Sequence, residues 1–356
     1  MARESRPRVL VLVGATASGK TATILHLAQE LPLEVISADS RQIYRYLDIG
    51  TAKPTQEERR RVPHHCVDIR NPDETYSAGE FAADALRLIP ALWARGKLPC
   101  VVGGSGFYIH ALCYGLFEQP PLPLLRAVRQ ELQARLQREG REALYEELQR
   151  VDPVSAARYP DRNPQRILRA LEFYYATGIP LSRAHQLLPP TERPFQTFWV
   201  GLAWERRQLY ERINRRAEWM WQNGLVEETA RVLSMGYAPD APGLNTHGYK
   251  ECIAYLAGQL SAAEALALMQ RRTRQYAKRQ LTWFRRYDHI HWIAADPNPA
   301  VTAARLKELL QRWLPEHVRA CSLPEAGSGD ARTPAGNSSQ QTGGHESEMM
   351  PPGRTV

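Results

Sequence analysis

Five apolar residues, Val9-Leu10-Val11-Leu12-Val13, run straight into Gly14-Ala15-Thr16-Ala17-Ser18-Gly19-Lys20-Thr21. No other stretch narrows the possible folds as much. A strand without polar alternation belongs to a parallel sheet covered on both faces. The eight residues after it fit G-x-x-x-x-G-K-[ST], the spacing of a phosphate-binding loop. Gly14 and Gly19 let consecutive N–H groups turn inward around an anion. Lys20 adds a mobile positive charge, and the Thr21 hydroxyl is an oxygen ligand for Mg²⁺. Ile24, Leu25, Leu27, Ala28 and Leu31 then recur at helical spacing, so a helix points its positive end at the same place. The loop specifies phosphate or diphosphate, and leaves open which molecule carries it.

With 356 residues the chain is long enough for a substantial core and two domains. No stretch approaches the roughly 20 apolar residues that cross a bilayer. Met1 to Arg8 are charged and lead into a core strand, so we expect no signal peptide and a cytoplasmic protein. The five cysteines (Cys66, Cys100, Cys113, Cys252, Cys321) are scattered and form no C-x-x-C pair, which suits reduced thiols. His64-His65 beside Cys66 lack a fourth ligand at workable spacing, so no zinc site is expected there. A net charge of +8, carried mostly by arginine, fits an anionic partner such as nucleic acid.

Further along, Leu33–Ala38 reads as a second strand ending at Asp39-Ser40-Arg41-Gln42. Ligands of open α/β sheets gather at the carboxyl ends of strands, so Asp39 belongs near the phosphate loop. Asp48 to Pro54 reads as a loop and Thr55 to Arg61 as a charged helical turn. Ser77 with Glu80 makes a capping box that opens a helix to about Arg95. Leu98 to Val102 is a buried strand running into Gly103-Gly104-Ser105-Gly106, a second place where backbone can approach a ligand. From about Pro120 a Pro/Leu-rich linker leads into charged, helix-periodic sequence, where Arg166, Arg169 and Glu172 share one helix face. Thr197 to Trp204 reads as a returning strand. The helix after it has Leu209, Ile213 and Ala217 on its buried stripe, with Arg212 and Arg216 beside them. A basic helix spans Ala262 to Arg286, a last strand His289 to Ala294, and a last helix Val301 to Leu314. The expected fold is α/β, a P-loop NTPase-like core with a parallel sheet and a mostly helical insertion domain. Its boundaries are 1–119 for the first part of the core, 120–194 for the insertion, and 195–314 for the second part. Residues 315–356 are too rich in Gly, Ser, Pro, Thr and Gln to pack and are expected to be a disordered tail. Nothing suggests a coiled coil or an assembly strand, so a monomer is expected.

A phosphate loop by itself leaves a kinase or ATPase as the commonest reading. No N-K-x-D motif reads a guanine base, and no later strand ends in an apolar run followed by Asp-Glu, as a motor ATPase requires. Asp39 is the one acid at a strand end. It would activate a hydroxyl or hold magnesium in a small-molecule kinase, or take a proton from an amine in a nucleotide-modifying transferase.

The combined pattern resembles the tRNA dimethylallyltransferase family. The resemblance rests on GATASGKT, SADSRQIY (37–44), DIGTAKP (48–54), VVGGSGFYI (101–109), NPQRILRALE (163–172), GYKE (248–251) and TRQYAKRQLTWFR (273–285). Ala15 stands where the family usually has proline, Ser105 where it has threonine, and Asn245-Thr246-His247 depart from the usual run. No Cys/His module follows at zinc spacing, which favours a bacterial-type enzyme. The resemblance implies prenylation of N6 of the adenine 3′ of the anticodon. It implies that Gly14, Ala15, Thr16, Ala17, Ser18, Gly19, Lys20 and Thr21, with Arg212, bind the diphosphate of dimethylallyl diphosphate. Mg²⁺ would sit on Thr21. Lys20, Thr21 and Arg216 would assist departure of the diphosphate, and Asp39 would act as general base. The tRNA anticodon stem-loop would meet Asp39, Ser40, Arg41, Gln42, Ser105, Arg129, Gln165, Arg166, Ile167, Leu168, Arg169, Asn245, Thr246, His247, Gly248, Tyr249 and Lys250, with the adenine turned out of its stack.

Plainer roles compete with these. Asp39 suits a turn, Arg166 and Arg169 suit pairing with acids such as Glu172, and Trp283 and Phe284 suit packing. Two other functions stay open: a phosphate-loop kinase of a small metabolite, and a basic RNA-binding protein whose loop senses nucleotide.

Overall fold

A computed structural model describes residues 6–116, 122–187 and 192–314. The amino-terminal half has β1 (Arg8–Gly14), α1 (Lys20–Leu27), β2 (Leu33–Ala38), α2 (Gln56–Arg61), β3 (His64–His65), α3 (Ala78–Ala94), β4 (Leu98–Gly103) and α4 (Gly106–Tyr114). Four helices follow: α5 (Leu122–Val151), α6 (Pro153–Ala157), α7 (Pro164–Thr177) and α8 (Leu181–Leu187). The chain then returns through β5 (Gln196–Ala203), α9 (Arg206–Gln222), α10 (Leu225–Ser234), α11 (Tyr249–Leu256), α12 (Ala262–Phe284), β6 (His291–Ala294) and α13 (Pro299–Gln311).

All six strands are parallel, in the order β3-β2-β4-β1-β5-β6. β1 lies between β4 and β5, with Leu12 opposite Val102 on one side and Val200 on the other. Val9 to Val13 are wholly buried. Side chains of a strand alternate between faces, and the two faces bury different clusters. Val9, Val11 and Val13 join the core under α3, α4 and α9, while Leu10 and Leu12 join the core under α1 and α13. This is why Val9 to Val13 include no polar residue. It also sets Gly14, Asp39 and Gly104 at neighbouring carboxyl ends.

Local signals placed most other elements. Ser77 and Glu80 close the capping box of α3 with bonds of 3.1 Å and 2.8 Å, and Thr55 with Glu58 caps α2 the same way. The buried stripe of α9 is Leu209, Ile213 and Ala217. Helices α5 to α8 bury a separate core of Leu132, Leu144, Leu148, Ile167, Leu168 and Leu171. Within α5 the backbone kinks at Gly140, where φ is 83°. The linker expected near residue 120 is shorter than its composition suggests, because α5 already begins at Leu122. Two-residue β3 and helices α4 and α11 carry too little periodicity to be read in advance. His65 in β3 bonds Glu34 at 2.7 Å and His64 bonds the Val62 carbonyl at 2.7 Å. The tail reading at 315–356 lies outside the described residues. Among those residues no helix is long and apolar enough to cross a membrane.

Candidate active site

The phosphate loop connects β1 to the first turn of α1. Ala17 takes φ 64° and Gly19 φ 91°, so two nearby residues are left-handed and the loop curls inward. A left-handed alanine costs about 1 kcal/mol and persists only where its surroundings enforce it. Here they do. The Ala17 carbonyl accepts from Arg212 Nε at 3.0 Å, the Ser18 carbonyl from Trp204 Nε1 at 3.0 Å, and Gln280 Oε1 accepts from the Thr16 amide at 2.8 Å. At Gly14 a Cβ would lie 2.9 Å from Ser18 Oγ and 3.2 Å from the Leu202 carbonyl, so only glycine fits there. Gln280 also donates to the Gly104 carbonyl at 3.0 Å, tying the ends of β1 and β4 together through α12.

This loop forms one wall of a cavity of about 500 Å³ lined by Thr16 to Ala22, Asp39, Gln42, Thr51 and Gly104. Lys20 Nζ donates to the Gly14 and Ala15 carbonyls at 3.0 and 2.8 Å. Burial lowers its pKa to about 8, with Asp39 opposing and Arg216 adding to the fall. Arg212 stacks on Trp204, its Cζ 4.3 Å from the ring centroid, and Arg216 donates to the Thr16 hydroxyl. Burial lowers the pKa of Arg216 to about 10, Asp39 opposing and Arg212 assisting. Lys20, Arg212, Arg215 and Arg216 line this cavity against the acids Asp39 and Glu58, so it suits an anion. Lys53 also lines it, but its ammonium is occupied by Asp48 at 2.5 Å and Asp68 at 2.6 Å.

A second cavity of about 350 Å³ adjoins the first and shares Thr16, Asp39, Thr51, Arg216 and Tyr276 with it. Ile213, Ala217, Met220 and Met269 give it an apolar wall, and Ser40, Arg41, Asn245, Thr246, His247 and Lys250 a polar one. Asp39 stands at the junction. Its Oδ1 accepts from the amides of Arg41 (2.8 Å) and Gln42 (3.4 Å), an Asx-type turn that fixes the carboxylate. Burial, strengthened by Asp39, pushes the Tyr276 hydroxyl up to about 12, so it stays a neutral donor.

The expected site residues fall into three groups. Thr16 to Thr21, Asp39, Gln42, Arg212 and Arg216 meet at the first cavity, with Gly14 and Ala15 beneath it. Ser40, Arg41, Asn245, Thr246, His247 and Lys250 meet at the second. Ser105 caps α4 and accepts from the Ser40 amide at 2.9 Å, so it shapes the turn after β2. Residues of the insertion line neither cavity. Gln165 and Arg166 are exposed near the start of α7, whereas Arg129 and Arg169 both pair with the buried Glu172, at 2.6 and 3.0 Å. Three of the residues expected to meet RNA have buried side chains. Ile167 and Leu168 are 1% exposed inside the insertion core, and Tyr249 is 0% exposed with its hydroxyl on Glu228 at 2.5 Å. Gly248 is likewise buried, where its amide bonds Glu251 at 2.6 Å.

Residues passed over in the sequence are Tyr276 and Gln280 on α12 and Thr51 in the loop after β2. All three lie inside stretches read as motifs, but nothing local shows which residue of a basic helix faces inward. Glu228 was also missed. Its carboxylate accepts from the amides of Asp48, Ile49 and Gly50 at 2.9, 2.9 and 3.2 Å, which holds the loop carrying Thr51. Glu228→Gln sets an amide NH₂ against those donors. It should destabilise the fold by about 3 kcal/mol, read from the urea unfolding midpoint; an unchanged midpoint would refute this role.

Comparison with known proteins places this architecture. The family model described as IPP transferase matches residues 42–287. A tRNA dimethylallyltransferase of Thermomicrobium roseum is 45% identical over 311 residues, 87% of this chain and 93% of that protein. One of Salinibacter ruber is 46% identical over 314 residues, 88% of this chain and 95% of that protein. Among solved structures, the full-length tRNA isopentenylpyrophosphate transferase of Bacillus halodurans superposes with a TM-score of 0.61 at 37% identity, covering 86% of this chain and 97% of that one. A eukaryotic dimethylallyltransferase acting on tRNA superposes with a TM-score of 0.71 at 25% identity, covering 87% and 80%. With matches of this length and identity, the chain belongs to the IPP transferase family.

Proposed function

We propose that this protein transfers a dimethylallyl group from dimethylallyl diphosphate to N6 of the adenine 3′-adjacent to the anticodon of tRNA. The observation that carries this reading is the pair of adjoining cavities with Asp39 between them. One is built for an anion, and the other has an apolar wall and a polar rim suited to a base. The diphosphate sits in the loop, and the adenine, turned out of the anticodon loop, enters the second cavity. The N6 lone pair attacks the allylic carbon, the carbon–oxygen bond breaks, and its electron pair leaves with the diphosphate. The N6 proton passes to Asp39, whose Oδ2 accepts no hydrogen bond among the described residues while Oδ1 is held by the turn. Loop amides, Lys20, Arg216 and Arg212 meet the charge that develops on the leaving group.

The donors at the loop fit a magnesium ion. Thr21 offers one hydroxyl at the cavity wall, and among the described residues no group of three His, Cys, Asp or Glu side chains forms an all-protein cage. Mg²⁺ is commonly held by one or two protein oxygens, with substrate phosphates supplying the rest. Thr21 would hold the ion, which supplies charge neutralisation to the diphosphate.

The insertion, residues 120–194, would approach the anticodon stem through its exposed Gln165 and Arg166. With tRNA as substrate we assign the protein to the cytoplasm, acting as a monomer. The test is mass measurement on unmodified tRNA incubated with the protein, Mg²⁺ and dimethylallyl diphosphate. A gain of one five-carbon unit is expected. Phosphate transfer from ATP to a small metabolite would instead select a kinase, and no covalent change a binding protein.

A pH prediction follows from Lys20. Its folded pKa of about 8 lies below the ordinary 10.5, so the unfolded chain binds more protons between those values. The burden of burying this charge is therefore full at neutral pH and eases as pH rises through that window. A bound diphosphate favours the ammonium and restores the proton. Binding above pH 8 should take up a fraction of a proton, measurable by calorimetry in two buffers of different ionisation enthalpy. Equal heats in both would contradict it.

A further inference from the structure

His247 lies on the wall of the second cavity, which Asp39, Arg41 and Tyr276 also line, at a position the phosphate loop does not explain. Its ring centroid is 5.8 Å from that of Tyr276, with the planes at 58°. Its Nδ1 is buried and has no hydrogen-bond partner. Glu251, the acid whose charge acts on the ring, does not bond it, and its oxygens accept instead from Arg272 at 2.5 Å and from the Gly248 amide at 2.6 Å.

That enclosure decides the tautomer. A proton on Nδ1 would be a buried donor without an acceptor, which costs more than a bare lone pair there. The imidazolium, which needs a proton on both nitrogens, is disfavoured for the same reason. Burial lowers the histidine pKa. Arg279, Arg272 and Arg41 act in the same direction and Glu251 opposes them. The neutral ring with its proton on Nε2 satisfies both constraints. A purine ring nitrogen is an acceptor that matches such a donor.

We propose that His247 holds the turned-out adenine by donating its Nε2–H to a purine ring nitrogen, and so directs the N6 amine toward Asp39. The proposal rests on the transfer reaction above and adds to it the residue that orients the base. A hydrogen bond of this kind fixes the reacting amine in one pose, where the apolar wall alone would allow the ring to turn.

The experiment uses the full chain, dimethylallyl diphosphate, Mg²⁺ and anticodon stem-loops carrying adenine, 1-deazaadenine, 3-deazaadenine or 7-deazaadenine at the target position. The wild type should lose about tenfold in kcat/KM with one analogue, the one lacking the accepting nitrogen. His247→Val should lose about the same factor with adenine and nothing further with that analogue. A purely structural histidine would leave the analogue penalties unchanged. His247→Gln, which keeps an N–H donor, should recover part of the rate and answers the question if the valine variant fails to fold. The proposal is overturned if both variants keep every wild-type analogue penalty, or match the wild type on adenine. If the wild type itself adds nothing to adenine, the failure lies with the transfer reading and not with His247.

Discussion

Replacing Asp39 by alanine is expected to lower kcat on tRNA by about a thousandfold, while tRNA affinity stays within about twofold. The reason is positional. Asp39 follows β2 at the point where the first cavity meets the second, and its Oδ1 is held by the Arg41 and Gln42 amides. In the proposed reaction a carboxylate so fixed would present its other oxygen to a proton on the incoming amine and contribute little RNA-binding surface. Asp39→Asn keeps the turn but not the base, and should be as inactive as the alanine variant. Filter binding and single-turnover transfer, run side by side, separate the two effects. Equal losses in binding and turnover would assign Asp39 to holding RNA.

Lys20→Ala should cost about 10²–10³-fold in kcat and weaken diphosphate binding as well. The ammonium is aimed by the Gly14 and Ala15 carbonyls, in a cavity where burial already lowers its pKa to about 8. In that environment a charge meeting the departing diphosphate is poorly screened. Arginine is no substitute, because its planar fork does not reproduce the compact point charge of an ammonium. Lys20→Arg should stay within about tenfold of the alanine variant. Rates with saturating dimethylallyl diphosphate and competition by inorganic diphosphate distinguish loss of catalysis from loss of binding. A Lys20→Ala enzyme of normal kcat would exclude Lys20 from leaving-group stabilisation.

Short-range patterns of residues were enough to identify much of this molecule. The apolar run of β1 reports a doubly covered strand, since any polar residue there would be buried. G-x-x-x-x-G-K-T reports an anion loop because its angles and charges are local properties. Ser77 with Glu80 marked a helix start for the same reason, as both bonds span three residues. Asp39 was legible because strand ends of one parallel sheet meet at one edge. These features depend on neighbours within a turn or a strand.

Packing between distant segments decided the rest. Gln280 reaches the Thr16 amide across 264 residues and Arg216 the Thr16 hydroxyl across 200, and neither pairing has a local signature. The arginines of the insertion looked equivalent in sequence, yet Arg129 and Arg169 are drawn to a buried Glu172 while Arg166 stays exposed, 3.8 Å from the equally exposed Asp161. Ile167, Leu168 and Tyr249 sit within motif stretches but face inward, since a helix must bury one side whatever its other side binds. Periodicity shows that a helix has a buried face. Only the folded chain shows what that face is pressed against, and thus which charges remain free to meet a ligand.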